Sequence, residues 1–179
     1  MFMSRRIYEK MRNAIIALAL AVAGCSGTSV QYSEGRLDQT FDGVDGDYKP
    51  RTIIIDRERQ NKYDSVLIGT DGKDIELAMD TGWRFQSGKD KLINPFYMVG
   101  LGLAYESKNF EKQGTNLNFY IDNRAGIEFN DLKKNGCSPF MAINYTHYSN
   151  ASKINPFVDR TRNDGINVVR YGIGVKCDD

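Results

Sequence analysis

Long segments in which apolar residues alternate with polar or very small ones constrain this chain more than any other feature. In Ile75–Phe85 and Leu117–Phe129 nearly every odd position is apolar, whereas the even positions are mostly charged or polar; in Phe96–Tyr105 several even positions are Gly or Ala. Successive side chains of a β-strand point to opposite faces, so each segment predicts a strand with one apolar face. At about 10 to 13 residues, these segments exceed the strands of most soluble sheets and match tilted membrane-spanning strands.

The charged faces of these strands distinguish between two all-β folds. A soluble sandwich places the apolar face inward, whereas a small membrane barrel turns it towards lipid and fills its interior with polar groups. Charges of both signs on one face favour the barrel, because unpaired buried charges are prohibitively costly. The residues that we expect to form a paired interior network are Glu76, Asp80, Arg84, Asp122, Arg124 and Glu128.

Five further strands complete the count. Two are long and three are shorter: Pro139–Ser149, Ile166–Lys176, Ser29–Leu37, Arg51–Arg57 and Tyr63–Thr70. Eight strands are an even number, which closes an antiparallel barrel with both termini on one side. The sequence therefore predicts an all-β fold, an eight-stranded antiparallel transmembrane β-barrel, over residues 31–179.

Charge and hydropathy exclude two other classes of protein. The 24 Lys and Arg nearly balance the 23 Asp and Glu, so the chain lacks the excess of basic residues that is typical of nucleic-acid-binding proteins. A mean hydropathy of −0.48 excludes a bundle of membrane helices, each of which needs about 20 mostly apolar residues.

The first residues have the pattern of an export signal. Four basic residues precede an apolar run at 14–23 that is too short to span a bilayer. Small residues followed by Cys25 look like a bacterial lipobox, which predicts a signal peptide at 1–24, a lipidated Cys25 and a tether at 25–30. The alternative is an ordinary signal peptide with an incidental cysteine. Ser26 follows the cysteine, and the resemblance to lipoproteins then implies sorting to the outer membrane, with the lipid on the periplasmic side.

The last two strands carry a candidate nucleophile and base. His147, the single histidine of the chain, precedes Ser149 by two residues, so both side chains share one face of a strand. A histidine beside a serine is the minimum of a nucleophile–base pair, although an ordinary surface pair has the same spacing. Together with Asn167 they lie on the otherwise apolar face, where polar groups are costly and indicate function. With a periplasmic N-terminus, the loop at 150–165 is extracellular, near the lipopolysaccharide of the outer leaflet.

The residues around this pair resemble a known signature. His147-Tyr148-Ser149-Asn150-Ala151, followed by Asn163-Asp164-Gly165-Ile166, is similar to the motif of the PagL-type lipid A 3-O-deacylases, and the similarity extends over roughly Asn94–Lys176. This resemblance implies an eight-stranded outer-membrane barrel whose catalytic Ser and His face outward. It also implies lipid A, the membrane anchor of lipopolysaccharide, as substrate, and no metal or organic cofactor.

The resemblance also assigns roles. Ser149 corresponds to the nucleophile and His147 to the general base, while Asn150, followed by Ala151, corresponds to the part of the site that polarises the scissile carbonyl. In the family an acidic residue orients the histidine, and its position is Asn167 here. We expect Asn167 to orient His147 with reduced or retuned activity. Alternative acids are Asp164 and Asp159.

Cys137 and Cys177 are the two cysteines beyond Cys25. If Ser149 lies opposite Asn167, the two cysteines are offset by only two residues across the same hairpin and share a face. A disulfide is then conceivable, and two free thiols are the alternative.

Three functions remain open at this point. The first is an outer-membrane esterase that removes the 3-O-linked acyl chain of lipid A. The others are a catalytically silent barrel lipoprotein with a structural or shielding role and an esterase that acts on phospholipid. Loop cations at Lys153, Arg160 and Arg162 either meet lipid A phosphates or are simply solvated. A single histidine without clustered partners gives no metal-binding pattern.

Overall fold

The computed structural model describes residues 27–37, 49–88, 91–107, 116–149 and 165–178. Each strand pairs antiparallel with the next and β1 pairs with β8, so the sheet closes into an eight-stranded barrel, as predicted. A short 3-10 turn at Asn130–Leu132 lies between β6 and β7. The strands are β1 (Thr28–Leu37), β2 (Arg51–Arg59), β3 (Lys62–Thr70), β4 (Ile75–Gln86), β5 (Ile93–Glu106), β6 (Leu117–Phe129), β7 (Cys137–Ser149) and β8 (Ile166–Cys177).

The start of β1 corrects one predicted boundary. The tether was expected to reach residue 30, but Thr28 already pairs with Arg57 of β2 and with Cys177 of β8. Because residues 28–30 pair with strands on both sides, they belong to the barrel. The predicted signal peptide at 1–24 and Cys25 lie outside the described residues. Within the described ranges, no helix is long and apolar enough to cross a membrane.

The outer surface of the barrel is apolar. The alternation predicted from the sequence places one side chain of each successive pair outward, and the outward residues of β4 to β8 form a belt of exposed aliphatic and aromatic groups. Members of this belt include Met79 (67% exposed), Ile173 (63%), Leu101 (59%), Leu117 (58%) and Met141 (56%). Apolar side chains at this exposure are stable against lipid, which is the arrangement of a transmembrane barrel.

Charged and polar side chains line the interior, as predicted, together with two clusters of buried apolar and aromatic residues. Three buried arginines form its framework, and each bonds at least one buried carboxylate, which offsets the cost of burying these charges. The alternation predicted the inward charged residues of β4 and β6, but not the partners contributed by β2 and β8. The ion pairs are Arg84–Glu58 (2.7 Å), Arg84–Glu128 (2.9 Å), Arg124–Asp56 (2.6 Å), Arg124–Asp122 (3.0 Å) and Arg170–Glu76 (2.6 Å).

The two ends of the barrel differ in their connections. The end that holds residues 27 and 178 has the connections 60–61, 87–92 and 130–136, whereas the other end has 38–50, 71–74, 107–116 and 150–165. Barrels of the outer membrane have short periplasmic turns and longer extracellular loops. Ser149, the last residue of β7, lies at the end with the longer connections.

Candidate active site

His147 and Ser149 both face outward near the end of β7. His147 pairs with Ile121 of β6 on one side and with Asn167 of β8 on the other, and Ser149 pairs with Phe119 of β6. Both side chains are half-buried. Two residues of a strand span about 7 Å, so the hydroxyl and the imidazole belong to one patch of the outer surface.

A hydrogen bond joins His147 to Asn167. Nδ1 of His147 lies 2.8 Å from Oδ1 of Asn167, which is 6% exposed. An amide oxygen only accepts, so this contact requires the proton on Nδ1 and leaves the lone pair of Nε2 available. That tautomer is the one a general base needs when it accepts a proton through Nε2. Asn167 thus has the geometry of an orienting residue.

The register of β7 and β8 differs from the one considered from sequence. Asn167 lies opposite His147 rather than Ser149, and Cys137 lies directly opposite Cys177. The two registers differ by two residues and place the same side chains outward, so alternation does not distinguish them. A disulfide joins Cys137 and Cys177, with the Cα atoms 4.0 Å apart, at the end of the hairpin remote from His147.

The two residues flanking His147 are held inside the barrel by one arginine of β8. Arg170 donates hydrogen bonds to Oγ1 of Thr146 and to the hydroxyl of Tyr148, each with a donor–acceptor distance of 2.6 Å. Tyr148 also bonds the carboxylate of Glu76. All four side chains are inaccessible to solvent. The backbone segment that carries His147 is therefore fixed from its inner side.

Gly165, just before β8, contacts the other edge of the imidazole. A Cβ atom built on Gly165 would overlap Cε1 of His147 and lie 2.8 Å from Nε2. The sequence placed Gly165 within the motif but gave it no role. The sequence feature that could have indicated this contact is the position of Gly165 two residues before Asn167, on the same face of the chain.

The surface around the pair is apolar. Phe119 on β6, Ile143 on β7 and Tyr171 on β8 are each about half exposed on the outward face. A nucleophile on this surface meets substrates that lie in the lipid layer, not substrates inside the barrel.

The other predicted site residues lie outside the described residues. These are Asn150, Ala151, Asp159 and Asp164, together with the loop cations Lys153, Arg160 and Arg162. Among the residues that are described, no group of three or more His, Cys, Asp or Glu side chains is arranged to hold a metal ion.

The chain is similar to known proteins over most of its length. The family model "Lipid A 3-O-deacylase (PagL)" matches residues 31–176. The crystal structure of the outer membrane enzyme PagL is similar at a TM-score of 0.55 and 18% identity, covering 82% of this chain and 97% of that one. Neisserial surface protein A is similar at a TM-score of 0.54 and 10% identity, covering 86% and 98%. None of the curated protein sequences matches. The match over 31–176 shows that the chain belongs to the PagL lipid A 3-O-deacylase family.

Proposed function

We propose that this protein is an outer-membrane esterase that removes the 3-O-linked acyl chain of lipid A. The observation that carries the proposal is the hydrogen bond from Nδ1 of His147 to Oδ1 of Asn167, beside Ser149 on the lipid-facing surface. Membership of the deacylase family supports the substrate class. The apolar surroundings of the pair support a substrate that stays in the membrane.

In the first half of the reaction, Ser149 is the nucleophile. Nε2 of His147 accepts the hydroxyl proton while Oγ of Ser149 attacks the ester carbonyl, which gives a tetrahedral intermediate. The intermediate collapses with cleavage of the bond to the 3-oxygen of the sugar. That oxygen takes the proton from Nε2 and leaves as an alcohol, and the acyl group remains on Ser149 as an ester.

In the second half, water replaces the sugar. Nε2 of His147 accepts a proton from the water as its oxygen attacks the acyl-Ser149 carbonyl. Collapse of this intermediate breaks the bond to Oγ of Ser149, which takes the proton from Nε2, and releases a fatty acid. Asn150, followed by Ala151, is proposed to supply donors to the carbonyl oxygen. One such donor contributes about 10² to 10³ in rate in hydrolases.

Asn167 is proposed to orient the imidazole throughout. A neutral amide holds the required tautomer but does not compensate the positive charge that His147 gains in each step. We therefore expect a slower reaction than with a carboxylate at this position. Asp164 or Asp159, from the 150–164 segment, is the alternative acid.

The proposed location is the outer membrane, with the long connections outward. Ser149 and His147 lie at that end of the barrel, which supports a position at the level of the outer leaflet. Lipid A occupies that leaflet, whereas phospholipid dominates the inner one. A signal peptide at 1–24 and a lipidated Cys25 on the periplasmic side complete the proposal.

The test is a mass spectrum of lipid A from a Gram-negative host that expresses the protein. We expect the loss of one hydroxyacyl group with wild type and no loss with Ser149→Ala or His147→Ala. Ser138→Ala, a serine inside the barrel, is the matched control and should leave the product unchanged. An unaltered lipid A with folded barrel in the outer membrane supports the silent lipoprotein, and released phospholipid acyl chains support the phospholipid esterase.

A further inference from the structure

We propose that Gly165 is a positioning residue for His147, because the side chain it lacks leaves the space that the imidazole occupies. The inference deepens the proposed function, on which its catalytic consequence rests. It concerns a position outside the Ser149, His147 and Asn167 set.

The strand register explains why the imidazole and residue 165 meet. His147 pairs with Asn167 and Tyr148 pairs with Ile166, so Gly165, the residue before β8, continues this register to the level of Ser149. Residue 165 shares the outward face with Asn167 because side chains repeat every second residue. A side chain at 165 would therefore point to the same side of the sheet as the imidazole and Ser149.

The imidazole already fills this space. A Cβ on Gly165 would overlap Cε1 of His147, would lie 2.8 Å from Nε2, and would lie 3.1 Å from the backbone oxygen of Tyr148. Two neighbours therefore hold the ring in position: Asn167 contacts Nδ1, and the backbone of Gly165, which has no side chain, lies against Cε1 and Nε2. Nε2 is the atom that must exchange the proton with Ser149.

A methyl group at residue 165 should displace the imidazole of His147 rather than the backbone of the barrel. The imidazole can rotate, whereas the backbone of β7 is held by ladders on both sides. Rotation moves Nε2 or breaks the bond from Nδ1 to Asn167, so Gly165→Ala acts on the active site and leaves the fold in place. Misplacement of a catalytic group by about 1 Å can cost 10²-fold in rate.

The experiment uses the full-length protein folded in detergent or bilayers, with two readouts. His147 is the single histidine, so a ¹⁵N-histidine spectrum contains one imidazole and reports its tautomer directly. In Gly165→Ala we expect that signal to shift, kcat for lipid A to fall about 100-fold, and KM to change little.

Gly72→Ala is the control for loss of stability. Gly72 lies at the same end of the barrel with a φ of +94° and no atom within 4 Å of an added Cβ. Alanine is strained there, so this variant should lose stability while the imidazole signal and kcat stay unchanged.

The two readouts separate failure of this inference from failure of the proposed function. An unchanged imidazole signal in folded Gly165→Ala overturns the inference, and so does a shifted signal with full activity. Wild-type protein that leaves lipid A intact overturns the deacylase function and the catalytic role of Gly165. The spectrum then still tests the contact between Gly165 and His147. If Gly165→Ala does not fold, the prediction that the ring yields first is wrong.

Discussion

Asn167 accepts a hydrogen bond from Nδ1 of His147 across 2.8 Å, from the directly opposite position on the neighbouring strand. This contact holds the tautomer that a base acting through Nε2 requires. An amide has two different ends, however, and its NH2 group would select the other tautomer. A carboxylate has only acceptors and carries the charge that balances an imidazolium. The difference between amide and carboxylate therefore acts directly on the proposed chemistry.

Asn167→Asp should increase the rate of deacylation. The aspartate keeps the length of the side chain, removes the competing donor and adds a negative charge beside the imidazole. The reverse substitution in a serine protease costs about 10⁴ in rate, and we expect a gain of at least about tenfold because the native amide oxygen already faces Nδ1. Initial rates on purified lipid A measure the effect. Asn167→Leu is the matched control and should lose activity; equal rates for all three proteins would contradict an orienting role.

Arg170→Met should destabilise the barrel. The change removes the ion pair between Arg170 and the buried carboxylate of Glu76, and removal of one partner of such a pair costs about 3 to 5 kcal/mol. The hydroxyls of Thr146 and Tyr148 lose a donor as well. Denaturant unfolding in detergent measures the loss. Arg170→Met combined with Glu76→Gln should recover part of it; a double variant as unstable as the sum of the two single ones would contradict the pairing.

Asp80→Asn should stabilise the barrel. Asp80 is 7% exposed, its hydrogen-bonding neighbour is the Tyr63 hydroxyl, and it forms no ion pair with the described residues. Burial disfavours the charge of Asp80, and the carboxylates of Asp122 and Asp56 repel it, although Arg124 offsets part of this effect. Removing this charge should gain about 1 to 3 kcal/mol.

Asp122→Asn is the matched control for Asp80→Asn. Asp122 lies on the same inner surface but accepts a hydrogen bond from Arg124 over 3.0 Å, so its substitution should lower the free energy of unfolding. Unfolding curves of both variants under one condition provide the comparison. A stability loss in both would show that Asp80 has a stabilising partner.

The Cys137–Cys177 disulfide should stabilise the protein without contributing to the reaction. It links positions 40 residues apart, and closing a loop of that length contributes about 4 kcal/mol in the chain-entropy account. We expect the double Cys→Ser variant to unfold at lower denaturant concentration with an unchanged deacylation rate, because β7 retains both neighbouring ladders near His147. Thiol labelling of the unfolded, unreduced protein tests the bond, since labelling at both cysteines would show free thiols.

Much of the barrel could be predicted because its strands are marked by a local rule. In β4 and β6 most outward residues are apolar and most inward residues are polar, with few exceptions such as the inward Ala78 and the outward Asn123, so the strands and their faces are evident without knowledge of any partner. The outward position of His147, Ser149 and Asn167 followed from the same rule. The shorter strands β1 to β3 were found within two residues of their ends.

Interior partners were harder to predict, because they come from strands that are distant in sequence. Arg84 bonds Glu58 of β2 and Glu128 of β6, and Arg124 bonds Asp56 across 68 positions of the chain. Alternation shows that these groups point inward. It does not show which of them meet, since this depends on the tilt and stagger of all eight strands.

The sequence by itself determined the strands, their two faces and the outward Ser149 and His147 pair, because the alternation of apolar and polar residues is a local property of each strand. Only the tertiary structure decided that Asn167 lies opposite His147, that Cys137 lies opposite Cys177, and that the imidazole fills the space beside Gly165. A shift of two residues preserves every face, so the register rests on the closed ladder of the whole barrel and cannot be read from any one strand.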